Sequence, residues 1–257
     1  MGEHVRIDSN GGVLAITLAR PERRNAITVA MYAALADAIE GAATDPSLRL
    51  ITLRGEGEDF TAGKDLADFM AAMPRVGEEI AVWRLLRALA VNEVPLIAAV
   101  HGNAIGIGTT MLLHCDVVLA ARETRFSLPF VDLGLVPEAA SSLLLPRLAG
   151  RRRAARYLLL CEPFGPEEAL EWGLVSKIVP ADELEGALAD SVAALLAKPA
   201  TALRLTQRLL RHATSAEILE RFELENAHFS ERLQSAEVKE AITAFYEKRK
   251  PDFTGLS

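Results

Sequence analysis

Leu96-Ile97-Ala98-Ala99-Val100-His101-Gly102-Asn103-Ala104-Ile105-Gly106-Ile107-Gly108-Thr109-Thr110 is the stretch on which the fold reading turns. Five apolar residues bounded by turn signals read as a fully buried strand. A glycine-rich turn follows, and then the start of a helix. The stretch lies inside a run without Asp, Glu, Lys or Arg from Val94 to Cys115, 22 residues, long enough to raise the question of a membrane span. Pro95, His101, Gly102, Asn103, Gly106, Gly108 and His114 interrupt it, so it reads instead as strand, loop and buried helix in a soluble core.

Outward from this stretch, strand and helix patterns alternate. Val5-Arg6-Ile7-Asp8 and Val13 to Leu18 are β-type runs separated by Ser9-Asn10-Gly11-Gly12, a hairpin signal because Asn-Gly accommodates positive φ. Thr28 reads as the N-cap of an amphipathic helix reaching about Ala42, with Met31, Leu35 and Ile39 on one stripe. Further strands are expected at 48–53, 96–100 and 117–120. Alternation of this kind is the mark of an α/β architecture with crossover connections. From Ala181 onward only helices are expected, at 181–197, 200–213, 215–230 and 235–249. The chain thus divides into an α/β body over 1–195 and a helical region over 196–257, with Lys198-Pro199 as the joint. Leu203, Leu209, Leu210, Ile218, Leu219, Phe222, Phe229, Ile242 and Phe245 exceed what one buried stripe needs, which predicts packing on a neighbouring subunit.

Composition removes several function classes. The 257 residues carry 28 basic and 35 acidic side chains, a net charge of −7, so non-specific binding to nucleic acid is not expected. Half of the chain is hydrophobic and 25% is charged, which excludes wholesale disorder. The 2 cysteines, Cys115 and Cys161, read as buried thiols of a reducing compartment. Arg151-Arg152-Arg153, flanked by Arg147 and Arg156, reads as a solvated helix face or a subunit contact. The N-terminus has no apolar core of a secretory signal, and Thr254-Gly255-Leu256-Ser257 is not a peroxisomal address, so the cytoplasm is the expected location.

Familiar motifs are missing. Met111 stands at the third glycine position of G-x-G-x-x-G, no serine lies in G-x-S-x-G, and the histidines lack metal-ligand spacing. His101 and His114 therefore read as hydrogen-bonded core residues, and no metal is expected. Two glycine turns remain, each following a buried strand and opening a helix: Asp59 to Leu66 and His101 to Thr110. Backbone N–H groups at such helix starts lack intrahelical partners, and two starts facing one point would hold an oxyanion. Taken singly, each turn is equally a tight connection that needs glycine for steric reasons.

The two turns, with the segments around them, resemble the enoyl-CoA hydratase/isomerase, or crotonase, family. The resemblance rests on Leu18 to Ala26 with its Arg20-Pro21 and Asn25-Ala26, on Phe60-Thr61-Ala62-Gly63-Lys64-Asp65-Leu66, and on Gly102 to Gly108. It continues through Cys115-Asp116, Leu133-Gly134-Leu135-Val136-Pro137, Ala169 to Val175 and Phe245 to Phe253. It implies a crotonase-like spiral of ββα turns with a C-terminal helical trimerisation region, assembled as a homotrimer or hexamer. It implies an acyl-CoA thioester as substrate, with coenzyme A as part of that substrate and no separate cofactor. The thioester oxygen would lie on the backbone N–H groups of Ala62 and Ile107. Arg24, Ala62, Gly63, Lys64, Asp65, Leu66, Gly106 and Ile107 would bind the substrate. Arg23, Arg24 and Lys64 could meet the CoA phosphates, and Lys248 and Lys250 a neighbouring subunit's nucleotide.

Departures from the family pattern point to the reaction. Hydratases of the family use two glutamates to hold the added water, and those positions carry Thr110 and Phe130 here. A carboxylate stands eight residues after Phe130, in Leu135-Val136-Pro137-Glu138-Ala139-Ala140. That segment is similar to the peroxisomal-type Δ3,Δ2-enoyl-CoA isomerases, in which the glutamate after the proline is the single base. Ile107, where the hydratases have glycine, agrees with that branch. One carboxylate over the C2 to C4 face can take a proton from C2 and return it at C4. The plainer alternative for Glu138 is an acid at N1 or N2 of a helix after Pro137, serving only the helix dipole. Asp65 and Asp116 read as structural, and Asp132 either faces the pocket or the solvent. The expected activity is that of an enoyl-CoA isomerase. The alternatives are hydration or another thioester reaction of the family, and acyl-CoA binding without turnover.

Overall fold

The computed structural model describes residues 4–71, 81–212 and 215–256. Residues 72–80 lie outside the described residues, as do residue 213 of the expected 200–213 helix and the chain ends 1–3 and 257. The chain runs β1 (Val5–Asn10), β2 (Val13–Leu18), α1 (Val29–Thr44), β3 (Leu50–Gly55), α2 (Leu66–Ala71), α3 (Ala81–Val91), β4 (Leu96–Val100), β5 (Asn103–Ile105) and α4 (Ile107–Thr110). It continues with β6 (Val117–Ala121), β7 (Arg125–Ser127), α5 (Ser141–Ala149), α6 (Arg151–Leu159), α7 (Pro166–Glu171) and β8 (Lys177–Val179). Four helices close it: α8 (Leu184–Leu196), α9 (Ala200–His212), α10 (Ser215–Arg232) and α11 (Ala236–Glu247).

One six-stranded sheet has the order β1-β2-β3-β4-β6-β8. β1 and β2 form the expected antiparallel hairpin, and every later pairing is parallel. A second layer is made of short returns. Ile27 bridges Lys64, Thr61 bridges Ala104, β5 pairs with β7, and Phe126 bridges Phe164. Each turn of the chain thus lays one strand in the main sheet and one short segment in the second layer. This is the α/β architecture that the alternation of patterns predicts, wound as the spiral that the resemblance implies.

The charge-free run is explained by cover on both faces of the main sheet, as parallel strands require. Ile97 and Ala99 of β4, with Leu119, Ala121 and Val179, pack under Leu184, Ala187 and Leu188 of α8. Ala98 and Val100, with Val118 and Ala120, face the larger core with α1 and α3. Among the described residues no helix is long and apolar enough to cross a membrane. Thr28 caps α1 as expected, its hydroxyl accepting the Met31 N–H at 3.3 Å.

Some boundaries differ from expectation. The strand placed at 48–53 runs from Leu50 to Gly55, because Leu50 to Gly55 pair in parallel register with Val13 to Leu18 of β2. The 181–197 segment opens as a 3-10 turn over Ala181–Glu183, and the helix placed at 215–230 continues to Arg232. Cys161 is buried but Cys115 only partly so. Asp116 is also not fully buried: a quarter of its side chain is exposed, although it accepts from the Leu96 N–H and from Gln207. Of the basic run, Arg147, Arg153 and Arg156 are ion-paired with Glu217, Glu171, Glu162 and Glu168 on the surface.

The apolar surplus of the C-terminal helices divides in two. Ile218, Phe222 and Phe229 are buried within the chain. Trp83 of α3 meets the rings of Phe222 and Phe229 edge to face, at 5.7 and 5.5 Å between centroids. Such pairs are worth about 0.5 to 1.5 kcal/mol beyond burial and fix α10 against the body. Leu209, Leu210 and Phe245, by contrast, are 76%, 71% and 62% exposed.

Candidate active site

The two glycine turns lie against each other. Thr61 donates its N–H to the Asn103 carbonyl at 2.9 Å and accepts the Ile105 N–H at 3.1 Å. A Cβ at Gly63 would stand 2.7 Å from the Ile105 carbonyl oxygen, and one at Gly108 would stand 2.4 Å from Cγ2 of Thr61. Glycine at these positions is therefore a condition for the close approach. Asp59, its side chain 3% exposed, ties the turns further by accepting from the Asn103 N–H at 2.8 Å and from Nε of Arg24 at 2.6 Å. Burial alone would push the Asp59 carboxyl up; the bonds from Arg24 and Asn103 outweigh it and hold the carboxyl below its ordinary range.

One expectation fails here. The Ala62 N–H donates to the Arg24 carbonyl at 2.8 Å, so it is committed to the chain behind it and does not point at a shared oxyanion position. Around the next residues, Ile27 donates its N–H to Gly63 and accepts the N–H of Asp65, at 2.8 and 3.0 Å. In such a parallel bridge the residue between, Lys64, turns its own amide away from Ile27. In the second turn the Thr109 and Thr110 N–H groups close on the Gly106 carbonyl. The N–H of Ile107, which opens α4, has no acceptor among the described residues.

Both turns form one wall of a cavity of about 520 Å³. Ala62, Gly63, Lys64, Asp65 and Leu66 line it from the first turn, and Gly106 and Ile107 from the second. Phe130 and Glu138 line it from the segment after β7, and Phe229, Phe245 and Tyr246 from α10 and α11. Arg23 reaches the cavity. Arg24, expected to bind substrate, does not line it, because its guanidinium is held on Asp59. Lys248 and Lys250 are exposed beyond the end of α11 and line no part of it.

Glu138 is 2% exposed, and among the described residues its Oε2 has no hydrogen-bond partner. The helix after Pro137 begins only at Ser141, with Ala140 as a left-handed N-cap, so Glu138 is not the N1 or N2 acid of a helix. Ala139 and Ala140 both have positive φ, 62° and 54°. This conformation costs about 1 to 2 kcal/mol for each residue with a Cβ and persists only where the surroundings impose it. Two contacts impose it: His114 donates from Nε2 to the Ala139 carbonyl at 2.9 Å, and the Glu225 carboxylate accepts the N–H groups of Ala140 and Ser142 at 2.7 and 2.8 Å. Burial holds His114 neutral, its pKa pulled down to about 4, which suits a neutral donor.

The charges near Glu138 decide its protonation. Burial pushes its carboxyl up, and the ammonium of Lys64 pulls it partly back. Burial lowers Lys64 in turn, and its Nζ stands 4.9 Å above the ring of Phe229. Burial, then the charge of Glu138, raises the Tyr32 hydroxyl far above its ordinary value.

The remaining carboxylates sort themselves. Asp65 binds Arg20 at 2.7 Å and accepts the Ala67 and Asp68 N–H groups at 3.1 and 3.0 Å, which makes it the anchor of α2. Asp132 is exposed and lines no part of the cavity. Glu225 is not among the residues expected from the sequence, although a signal is present. An acid at 225 falls on the buried face that Phe222 and Phe229 define at helical spacing, and carboxylates are seldom buried without a task. His101 makes a bond to the Gly57 carbonyl at 2.8 Å.

Comparison with known proteins agrees over nearly the whole chain. Residues 8–256 match the description of the enoyl-CoA hydratase/isomerase family. The chain is 35% identical to a 1,2-epoxyphenylacetyl-CoA isomerase and 35% identical to a 2,3-dehydroadipyl-CoA hydratase, both from Escherichia coli, over 95% of each chain. It is similar to the crystal structure of an enoyl-CoA hydratase/isomerase from Pseudoalteromonas atlantica, with a TM-score of 0.92 and 39% identity over 98% of this chain and 100% of the other.

Proposed function

The chain belongs to the enoyl-CoA hydratase/isomerase family, and from the contents of its cavity we propose that it shifts a carbon–carbon double bond within an unsaturated acyl-CoA thioester. The observation that carries this reading is the count of carboxylates. Two line the cavity among the described residues, Asp65 and Glu138, and Asp65 is bound to Arg20. One buried base remains. Thr110 is wholly buried with no charge to offer, and Phe130 covers with an aromatic ring the place of a second acid. Among the described residues, hydration by two carboxylates lacks its second acid.

In this reading the thioester oxygen is held by the Ile107 N–H and by the Lys64 N–H, which replaces Ala62 as donor at the first turn. Glu138 takes the proton from C2, the electron pair moves into a dienolate ending on the thioester oxygen, and the protonated Glu138 returns the same proton at C4. Preorganised donors of this kind are worth about 3 to 4 kcal/mol each when charge develops on the oxygen. Burial suits Glu138 to the task, since a carboxyl pushed up is the stronger base once ionised. Arg23 at the cavity supports a charge-assisted contact to the phosphates of coenzyme A. Exposed Leu209 and Leu210 support assembly into a homotrimer or hexamer. Incubation with 3-enoyl-CoA and with 2-enoyl-CoA, scoring isomerised against hydrated product, tests the reading. Hydration as the main outcome overturns it, and CoA binding without any turnover favours a binding protein.

A further inference from the structure

Behind the cavity lies a clamp that the proposed reaction has not used. Glu138 is followed by two consecutive left-handed alanines, and the backbone there is held from both sides: His114 on the Ala139 carbonyl, Glu225 on the Ala140 and Ser142 N–H groups. Glu225 comes from α10, 85 positions away from Ala140, and is 6% exposed. Resting on the reading of Glu138 as the base, we infer that Glu225 is a positioning residue, which holds Glu138 over the substrate by clamping the strained turn behind it.

Three observations carry this. The two bonds of Glu225 use separate oxygens, Oε2 for Ala140 and Oε1 for Ser142, so both acceptor atoms are engaged. A glutamine offers one such oxygen and would turn its NH₂ against a buried N–H. The bonded residues are the left-handed Ala140 and the start of α5, and Arg221 of the same helix adds a bond there, its Nη1 donating to the Ser142 hydroxyl at 3.2 Å. Glu138 and Glu225 are also coupled through charge. Burial pushes Glu225 up to about 7 against the bonds from Ser142 and Ala140, and Glu138 adds to the rise. Around Glu138 stand Lys64 and Tyr32, and around Glu225 stand Arg221 and Ser142. A negative charge at 225 therefore opposes ionisation of the base.

The test reads the base without requiring the isomerised product. Exchange of the C2 hydrogen of butyryl-CoA in D₂O, followed by NMR across pH, is measured for the parent, Glu138→Gln, Glu225→Gln and Glu225→Gln with Ala140→Gly. Glu225→Gln is expected to slow exchange at saturating thioester about tenfold to a hundredfold, the usual loss from a misplaced group, with half-saturation unchanged. Its acid limb is expected at lower pH than the parent's, because the opposing charge has gone. Glycine at 140 takes the left-handed conformation at no cost, so Ala140→Gly in the same chain is expected to restore the rate and leave the limb shifted. A purely structural Glu225 predicts neither the limb shift nor this separation. If Glu225→Gln does not fold, the double variant carries the test through its limb. Parental rate and limb in Glu225→Gln, with Glu138→Gln inactive, overturn the inference and leave the base in place. No exchange by the parent, or parental exchange by Glu138→Gln, overturns the base itself and the inference with it.

Discussion

The carbonyl of Arg24 accepts the N–H of Ala62 at 2.8 Å, so that amide is committed within the chain, and in the proposed reading the oxyanion donor of the first turn is therefore Lys64. A structure with a bound acyl-CoA is expected to place the thioester oxygen about 2.7 to 3.1 Å from the backbone nitrogens of Ile107 and Lys64. The Ala62 nitrogen is expected to keep its bond to Arg24. An oxygen seated on Ala62 would overturn the assignment.

Glu138→Gln keeps the size and shape of the side chain and removes the base. Isomerisation of 3-enoyl-CoA is expected to fall by about 10² to 10⁴, the usual contribution of general acid–base catalysis. Affinity for acyl-CoA, measured by calorimetry, is expected to stay near the parent's. Near-normal turnover in this variant ends the single-base reading.

Lys64→Met removes the ammonium that pulls the Glu138 carboxyl down. The base must be ionised to act, so activity is lost as pH falls through its pKa. Without Lys64 that pKa rises, and the acid limb of kcat/KM is expected at higher pH in the variant than in the parent. A limb that stays put, or moves to lower pH, shows that Lys64 does not act on Glu138.

Asp65→Asn is expected to cost about 1.5 to 3 kcal/mol of stability at neutral pH, the range for hydrogen bonds to charged groups, read from urea midpoints. Burial pushes the Asp65 carboxyl up, but Arg20 and the α2 amides hold it below the ordinary carboxylate range. Its contribution is therefore complete above its unfolded pKa and is lost as pH falls through the folded value. The gap between parent and variant should close in acid. Turnover is expected within about tenfold of the parent, far from the 10² or more of a lost base. A larger loss would make Asp65 part of the chemistry.

Leu209 and Leu210 are exposed on α9. Sedimentation at micromolar concentration is expected to give an assembly several times the 27.8 kDa of one chain, and Leu209→Glu with Leu210→Glu is expected to dissociate it. A monodisperse parent monomer removes the basis for a trimer or hexamer.

What was legible came from local chemistry. The 96–100 strand, the Asn10-Gly11 hairpin and the Thr28 cap are written in neighbouring residues, because burial pattern, turn conformation and capping act over a few positions. Glu138, Phe130 and Thr110 stand out only through the family resemblance, which marks the positions where its members carry catalytic acids. The donor role expected of Ala62 fails because a backbone amide carries no mark of its acceptor, and the binding role expected of Arg24 fails because its guanidinium is held by the buried Asp59, 35 positions away. Whether the Ala62 N–H faces a cavity or the carbonyl of a segment 38 positions earlier depends on how the two chains lie side by side.

The sequence by itself determined the alternation of strand and helix, the two glycine turns and the helical end of the chain. Each follows from side-chain periodicity or from the steric demands of single residues. Only the tertiary structure decided which amides are already bonded, that Arg23 and not Arg24 reaches the cavity, and that Glu225 grips the turn behind Glu138. Those facts depend on groups brought together from distant parts of the chain, and pairing at a distance is fixed by packing, which no local pattern records.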